Sequence, residues 1–396
     1  MQKHPGIEQA EKWMQPLLTD LEAIVNIDSG SYTKAGIDQV GRYLQRRFQA
    51  LGFATSFDRQ EDYGDHLVAV HQGQQEDGAH LLLIGHIDTV FPEGEAQRRP
   101  FSIVEYEGRK IAKGPGILDM KVGVLMGLYA VQMLIESGRT NYRSLTFICN
   151  SDEEIGSHSS HQLIQELARQ SDAVMVLEPG RQTHTVVSAR KGVGNFRVDV
   201  EGVAAHAGVD PQNGRNAILE LAHHVIALQA LNGTIPGVTL NVGLIQGGGR
   251  TNIVPDSAHC EIDVRVQDLA GVELIETALR RLTSKTFIPG TKVTLSGSIR
   301  TLPFEKSASS NRLVELAKEV GRDLQLTIED VASGGASDAN RTAPLGIPTI
   351  DGLGAGGSLA HNPDEYIELE TLPIRLALLS GLLERIGSYY QSGKIL

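Results

Sequence analysis

The sequence predicts an α/β protein, a mostly parallel sheet with helices on both faces, interrupted by an inserted α+β domain. Three observations predict it. Short apolar runs, "HLVAVH", "LLLIGH", "SLTFICN" and "DAVMVLE", alternate with helical stretches, as in sheets built from strand–helix–strand units. From about 184 the texture becomes an apolar–polar alternation, the mark of half-exposed antiparallel strands. Beyond about 300 the helix-and-strand texture returns. The expected division is 1–189 and 301–396 for the main domain and 190–300 for the insertion.

Taken in order, residues 7–25 and 37–52 carry helical periodicity, with Leu17, Leu18, Leu21, Ile24 and Val25 among the apolar positions. The apolar runs follow as buried strands, with helices at roughly 121–137 and 158–169 between them. The alternating segments "HTVVSA", "VGNFRVDVEG", "VTLNVGLIQGG" and "SAHCEIDVRV" read as antiparallel strands, with amphipathic helices near 214–231 and 270–286. A helix near 308–321, the apolar segment "GIPTID" and a final helix at about 370–391 complete the main domain.

A chain of 396 residues with 43 glycines and 5% aromatics fits a two-domain α/β enzyme rich in tight turns. Its net charge of −12 argues against broad nucleic-acid or anionic-membrane binding. Cys149 and Cys260 follow no spacing pattern and are expected as reduced core residues, which fits a cytoplasmic protein. No apolar signal segment is expected in "MQKHPGIEQAEKW", and no apolar run is expected to span a bilayer.

In open α/β sheets, ligands bind beyond the carboxyl ends of the strands. There the sequence delivers His86 and Asp88 in "LLLIGHIDTV", Glu153 and Glu154 in "NSDEEIGS", and Glu178 in "VLEPG". "KGPGILDMKVG" adds Asp119 and "GLGAGGSLAHNPDEYI" adds His361. Imidazole nitrogen and carboxylate oxygen are the donors of a catalytic zinc. Two histidines and at least three carboxylates exceed one tetrahedral site, whereas one shared carboxylate would serve two ions about 3.5–4 Å apart. Residues i and i+2 of a strand face the same way, so His86 can bind metal while Asp88 accepts from its other ring nitrogen. The adjacent glutamates suggest a division of labour, Glu154 as ligand and Glu153 as general base. Each feature alone also has a structural reading. His86–Asp88 can be a satisfied strand-end pair, Glu153–Glu154 an acidic helix start, Asp119 a helix cap, Glu178 a loop residue and His206 a turn histidine.

The motifs "GHIDTV", "GPGILDMK", "SDEEIGS", "LEP", "AAHAG" and "HNPDEYI" occur in the order found in the zinc aminoacylase and carboxypeptidase family, which the chain resembles from about 10 to 390. That family includes glutamate carboxypeptidases, acetylornithine deacetylases, succinyl-diaminopimelate desuccinylases and several dipeptidases. The resemblance implies two zinc ions, for which cobalt or manganese could substitute. His86 and Glu178 would hold one, Glu154 and His361 the other, with Asp119 bridging them and the Asp119–Met120 peptide bond expected to be cis. Glu153 would be the general base and then the proton donor, and Asp88 would orient His86. The insertion would be a lid and dimerisation domain, giving a homodimer. His206 would reach the partner's site and polarise the scissile carbonyl. Asn252, Arg265 and the backbone of Gly334, Gly335 and Ala336 would bind a substrate carboxylate. Val122 and Ala336 stand where many relatives have glycine.

The motif endings look most like glutamate carboxypeptidases. A glutamate side chain would want a further cation, with Arg300 the candidate at the domain junction and Arg181 a fainter one. The expected activity is release of a C-terminal amino acid, glutamate above others, from an N-acyl or peptidyl substrate. Rivals are an N-acyl-amino-acid deacylase, a dipeptidase, and an inactive relative that binds only metal or peptide.

Overall fold

The computed structural model describes residues 4–180 and 182–391; Arg181 lies outside them. The chain forms two compact units, one of residues up to Ser188 with Lys306–Ala332 and Ser337 onward, the other of Ala189–Glu305 with Ser333–Ala336.

The first unit is built on a six-stranded sheet in the order Ala54–Asp58, His66–Gln72, Ser144–Asn150, His80–His86, Ala173–Val176, Thr349–Ile350. The last four strands are parallel, and the first two add antiparallel at one edge. The central strands are apolar at nearly every position and are buried on both faces, as parallel strands covered by helices must be. Register pairs His86 with Asn150 and Ile84 with Val176, so three strands end side by side.

The helix Val122–Glu136 is buried at almost every position. The whole apolar stretch Ile117–Glu136 is long and apolar enough to cross a bilayer, contrary to the expectation from sequence, but 89% of its apolar window is buried inside the protein. Its contacts make it a core element, with Gly123 set directly against the Leu177 carbonyl.

The expected helix at 7–25 is two helices, Pro5–Glu11 and Met14–Val25. A continuous helix would need an N–H from Pro16, which proline lacks; restarting at Met14 puts Pro16 in a first turn, where no such bond is required. The expected helix at 158–169 starts at His161, because Asp152 claims the backbone N–H groups of Ser159 and Ser160.

The second unit is a four-stranded antiparallel sheet, Val238–Gly247, Ser257–Val266, Gly192–Glu201, Lys292–Thr301, with helices Ala217–Gln229 and Leu269–Thr283 packed on it. It has its own core, including Val198, Leu221, Cys260, Val264, Ile275 and Leu279. One expectation changes here. The segment "HTVVSA" belongs to the strand Thr185–Arg190, which pairs with Glu329–Ser333 rather than with this sheet. Arg300 lies near the end of the edge strand Lys292–Thr301, at a bulge between Ile299 and Thr301.

Candidate metal centre

The side-by-side strand ends of the first unit deliver the residues expected there. His86 ends its strand with its ring 1% exposed. Its Nε2 lies 3.0 Å from Asp119 Oδ1 and 3.7 Å from Glu178 Oε1. His361 Nε2 lies 3.1 Å from Asp119 Oδ2 and 3.1 Å from Glu154 Oε2. Asp119 thus turns one oxygen to each imidazole. The bond between Asp119 and Met120 is cis.

Two groups of these side chains gather donor atoms closely enough to hold an ion, His86 with Glu153 and Glu178, and His86 with Asp119 and Glu154. The electrostatics agree. Burial alone would lower the proton affinity of His86, but hydrogen bonds to Asp119 and Asp88 and the nearby Glu153 raise it well above its usual value. Hydrogen bonds to Asp119 and Glu154 push His361 up to about 11. Burial pushes Glu153 well up, and the neighbouring carboxylates Glu178, Asp338 and Glu154 add to that against the pull of His86. Asp119 is also penalised by burial, yet its two histidine partners hold it below the usual carboxylate range. Four crowded carboxylates and two imidazoles demand positive charge, and this oxygen-rich set with two nitrogens suits divalent ions of the zinc type.

Asp88 does more than orient a ring. His86 Nδ1 lies 3.1 Å from the Asp88 backbone carbonyl and 3.3 Å from its carboxylate. That carboxylate also accepts from the Ser31 hydroxyl (2.7 Å) and from the backbone N–H groups of Glu153 and Glu154 (3.2 Å each). One buried group therefore sets both the imidazole and the acidic turn.

Sequence reasoning missed several supports. Buried Asp338 accepts from Asn150 Nδ2 (2.8 Å) and Ser157 Oγ (2.5 Å), on either side of that turn. Arg375, fully buried, donates to the carbonyls of Thr185 (2.7 Å), Gly354 (2.8 Å) and Gly352. The Gly354 N–H in turn donates to the Glu178 carbonyl (2.8 Å). Fully buried Glu365 accepts from the backbone N–H groups of Gly116, Leu118 and Asp119; burial pushes its carboxyl up to about 7 against those donors. Glu365 had a signal in the sequence, the motif "HNPDEYI" that it shares with His361.

The remaining expected residues belong to the second unit. His206 is exposed and pairs with Ile253, and the Asn252 carbonyl accepts from the Ala207 N–H (3.0 Å). Arg265 is not free but forked onto Asp263 of its own strand, at 2.8 and 3.0 Å. The Gly335 carbonyl accepts from Arg190 Nη1 (3.1 Å), and Ala336 closes the same short segment. Arg300 lines a cavity of about 590 Å³ on the sheet with Asn195, Arg197, Glu261 and Asp263.

Residues 82–385 match the model of Peptidase family M20/M25/M40. The chain belongs to this family. It is 31% identical to carboxypeptidase G2 of Pseudomonas sp. (strain RS-16) over 389 residues, 96% of this chain and 92% of that protein. Among solved structures it is similar in fold to the aminopeptidase PepT of Bacillus cereus, with a TM-score of 0.81 and 23% identity over 94% of this chain and 98% of that one. A metallo-carboxypeptidase of the M20 family from Sulfolobus solfataricus superposes with a TM-score of 0.70 and 18% identity, over 94% and 99% of the chains. This M20 chain is accordingly a hydrolytic enzyme of the metallopeptidase class, related to carboxypeptidase G2.

Proposed function

We propose that this enzyme uses two zinc ions to hydrolyse an amide bond and release a C-terminal amino acid, glutamate above others, from an N-acyl or peptidyl substrate. The observation that carries the reading is Asp119, with one carboxylate oxygen 3.0 Å from His86 and the other 3.1 Å from His361. His86 and Glu178 would hold one ion, Glu154 and His361 the other, with Asp119 between them. Once bound, the ions supply Lewis acidity toward the carbonyl oxygen and acidify water. The Glu153 carboxylate takes the proton of the attacking water and returns it to the leaving nitrogen as the C–N bond breaks. Asp88 keeps the His86 tautomer and the Glu153 backbone in place.

The reading assigns the substrate carboxylate to Arg265, Asn252 and the Gly335–Ala336 backbone, with Arg265 exchanging Asp263 for the substrate. It assigns Arg300 to a glutamate side chain. His206 would come from a second copy and stabilise the oxyanion. Exposed Ile218, Leu219 and Ile226 on one helix and Ile245 on the other edge strand, Val238–Gly247, support a homodimer through the second unit. The two unpaired cysteines support a cytoplasmic setting.

Zinc analysis of the dialysed protein is expected to give two equivalents, falling toward one in His361→Ala. A panel of N-acyl and peptidyl amides is expected to show preference for C-terminal glutamate. Zinc content of one or none would remove the two-ion reading, and preference for another residue would remove the glutamate assignment. Sedimentation as a monomer would remove the dimer and the His206 role.

A further inference from the structure

The chain segment that delivers Asp119 closes only a wide turn of its own, with the Lys121 N–H donating to the Gly116 carbonyl (3.0 Å) and the Val122 N–H to the Ile117 carbonyl. Gly116 is left-handed, with φ of 67°, and a Cβ there would meet Thr89 Cγ2 at 2.2 Å. Asp119 and Met120 have non-helical backbone. Three N–H groups of this loop, those of Gly116, Leu118 and Asp119, point into one carboxylate, Glu365, at 3.1, 2.7 and 2.9 Å.

Glu365 reaches that position through the sheet. The strand Tyr366–Glu368 pairs with Arg109–Lys113, and Tyr366 faces Lys113. Glu365 is therefore carried to the point where the chain leaves that strand toward Gly116. On its other side Glu365 closes the turn that begins at Asn362, next to His361, its N–H donating to the Asn362 carbonyl (2.9 Å). His361 itself is left-handed, with φ of 64°, and its ring is 54% exposed. Its ring is held by the carboxylates of Asp119 and Glu154.

We propose that Glu365 is a positioning residue that fastens the Asp119 loop to the His361 loop and so sets the separation of these two ligands. The assignment rests on the two-ion reading above. The ion between Asp119, Glu154 and His361 draws two ligands from this junction, and the other ion draws one. Loss of the Glu365 carboxylate is expected to weaken the first ion more. A glutamine can accept on one side only, and its amide nitrogen would face an N–H on the other.

The test is Glu365→Gln in the full-length protein, titrated with Zn²⁺ against a competing chelator, with apo-protein thermal unfolding measured in parallel. The expected result is two ions in the wild type, with one of them weakened about 10–100-fold in the variant, and partial recovery in Glu365→Asp. A merely structural role would lower the apo unfolding temperature and leave both affinities unchanged, which overturns the proposal. Failure of both variants to fold also overturns it, in favour of a purely structural role. Wild-type protein that binds no second ion removes the two-ion reading, and this proposal with it.

Discussion

At the scale of single residues, the most connected group of the site is Asp88. Its spacing from His86 was legible, because strand periodicity puts both on one side. Its grip on Ser31 and on the Glu153 and Glu154 backbone was not legible, since those contacts join segments that only the folded sheet brings together. The outcome bears on Glu153, whose backbone is held while its side chain belongs to the group with His86 and Glu178. Glu153→Gln is nearly isosteric and is expected to keep bound zinc while kcat falls about 10²–10⁴-fold. Wild-type turnover with normal zinc content would remove Glu153 from the reaction. His361 marks the limit of residue-level reading. It follows a glycine-rich run that favours no one conformation, so only the motif pointed to it.

At the scale of elements, strand ends were readable because uninterrupted apolar runs must be buried on both faces. Helix starts were less so. Pro16 divides the first helix, and Asp152 delays another, through local hydrogen bonds that periodicity does not register. The edge strand Lys292–Thr301 escaped notice because serine, threonine and glycine weaken its alternation, as suits an exposed edge. The close approach of helix Val122–Glu136 to the Glu178 strand end gives an element-level prediction. A Cβ on Gly123 would lie 2.1 Å from the Leu177 carbonyl oxygen. Gly123→Ala is expected to destabilise the protein by about 1–3 kcal/mol, read from urea unfolding, and to lower zinc affinity. Wild-type stability would mean that the helix can slide away without cost.

At the scale of the whole molecule, each unit contains its own core and one buried thiol, Cys149 in the first and Cys260 in the second. Burial raises both thiols, Cys260 to about 11, and so suppresses the reactive thiolate. Neither is expected to react with a thiol reagent in the native enzyme. Metal stabilises only the unit that binds it. Chelation is therefore expected to lower the denaturant midpoint at which Cys149 becomes labelled and to leave that of Cys260 unchanged, as followed by mass mapping. Equal shifts at both cysteines would show that the units unfold together. At this scale the texture changes near 190 and 300 were visible in the sequence. The small return of Ser333–Ala336 to the second unit was not, because four residues carry no periodicity.

The carboxyl-terminal helix Leu372–Gln391 offers no candidate ligand, yet Arg375 on it gathers carbonyls from around Thr185 and from Gly352 and Gly354. A polypeptide ending short of that arginine would leave those oxygens in a dry interior with no cation to answer them. On the two-zinc reading proposed above, tail length and zinc affinity are thereby linked, and a clipped product is expected to lose its grip at Glu178 while every proposed ligand remains in the sequence.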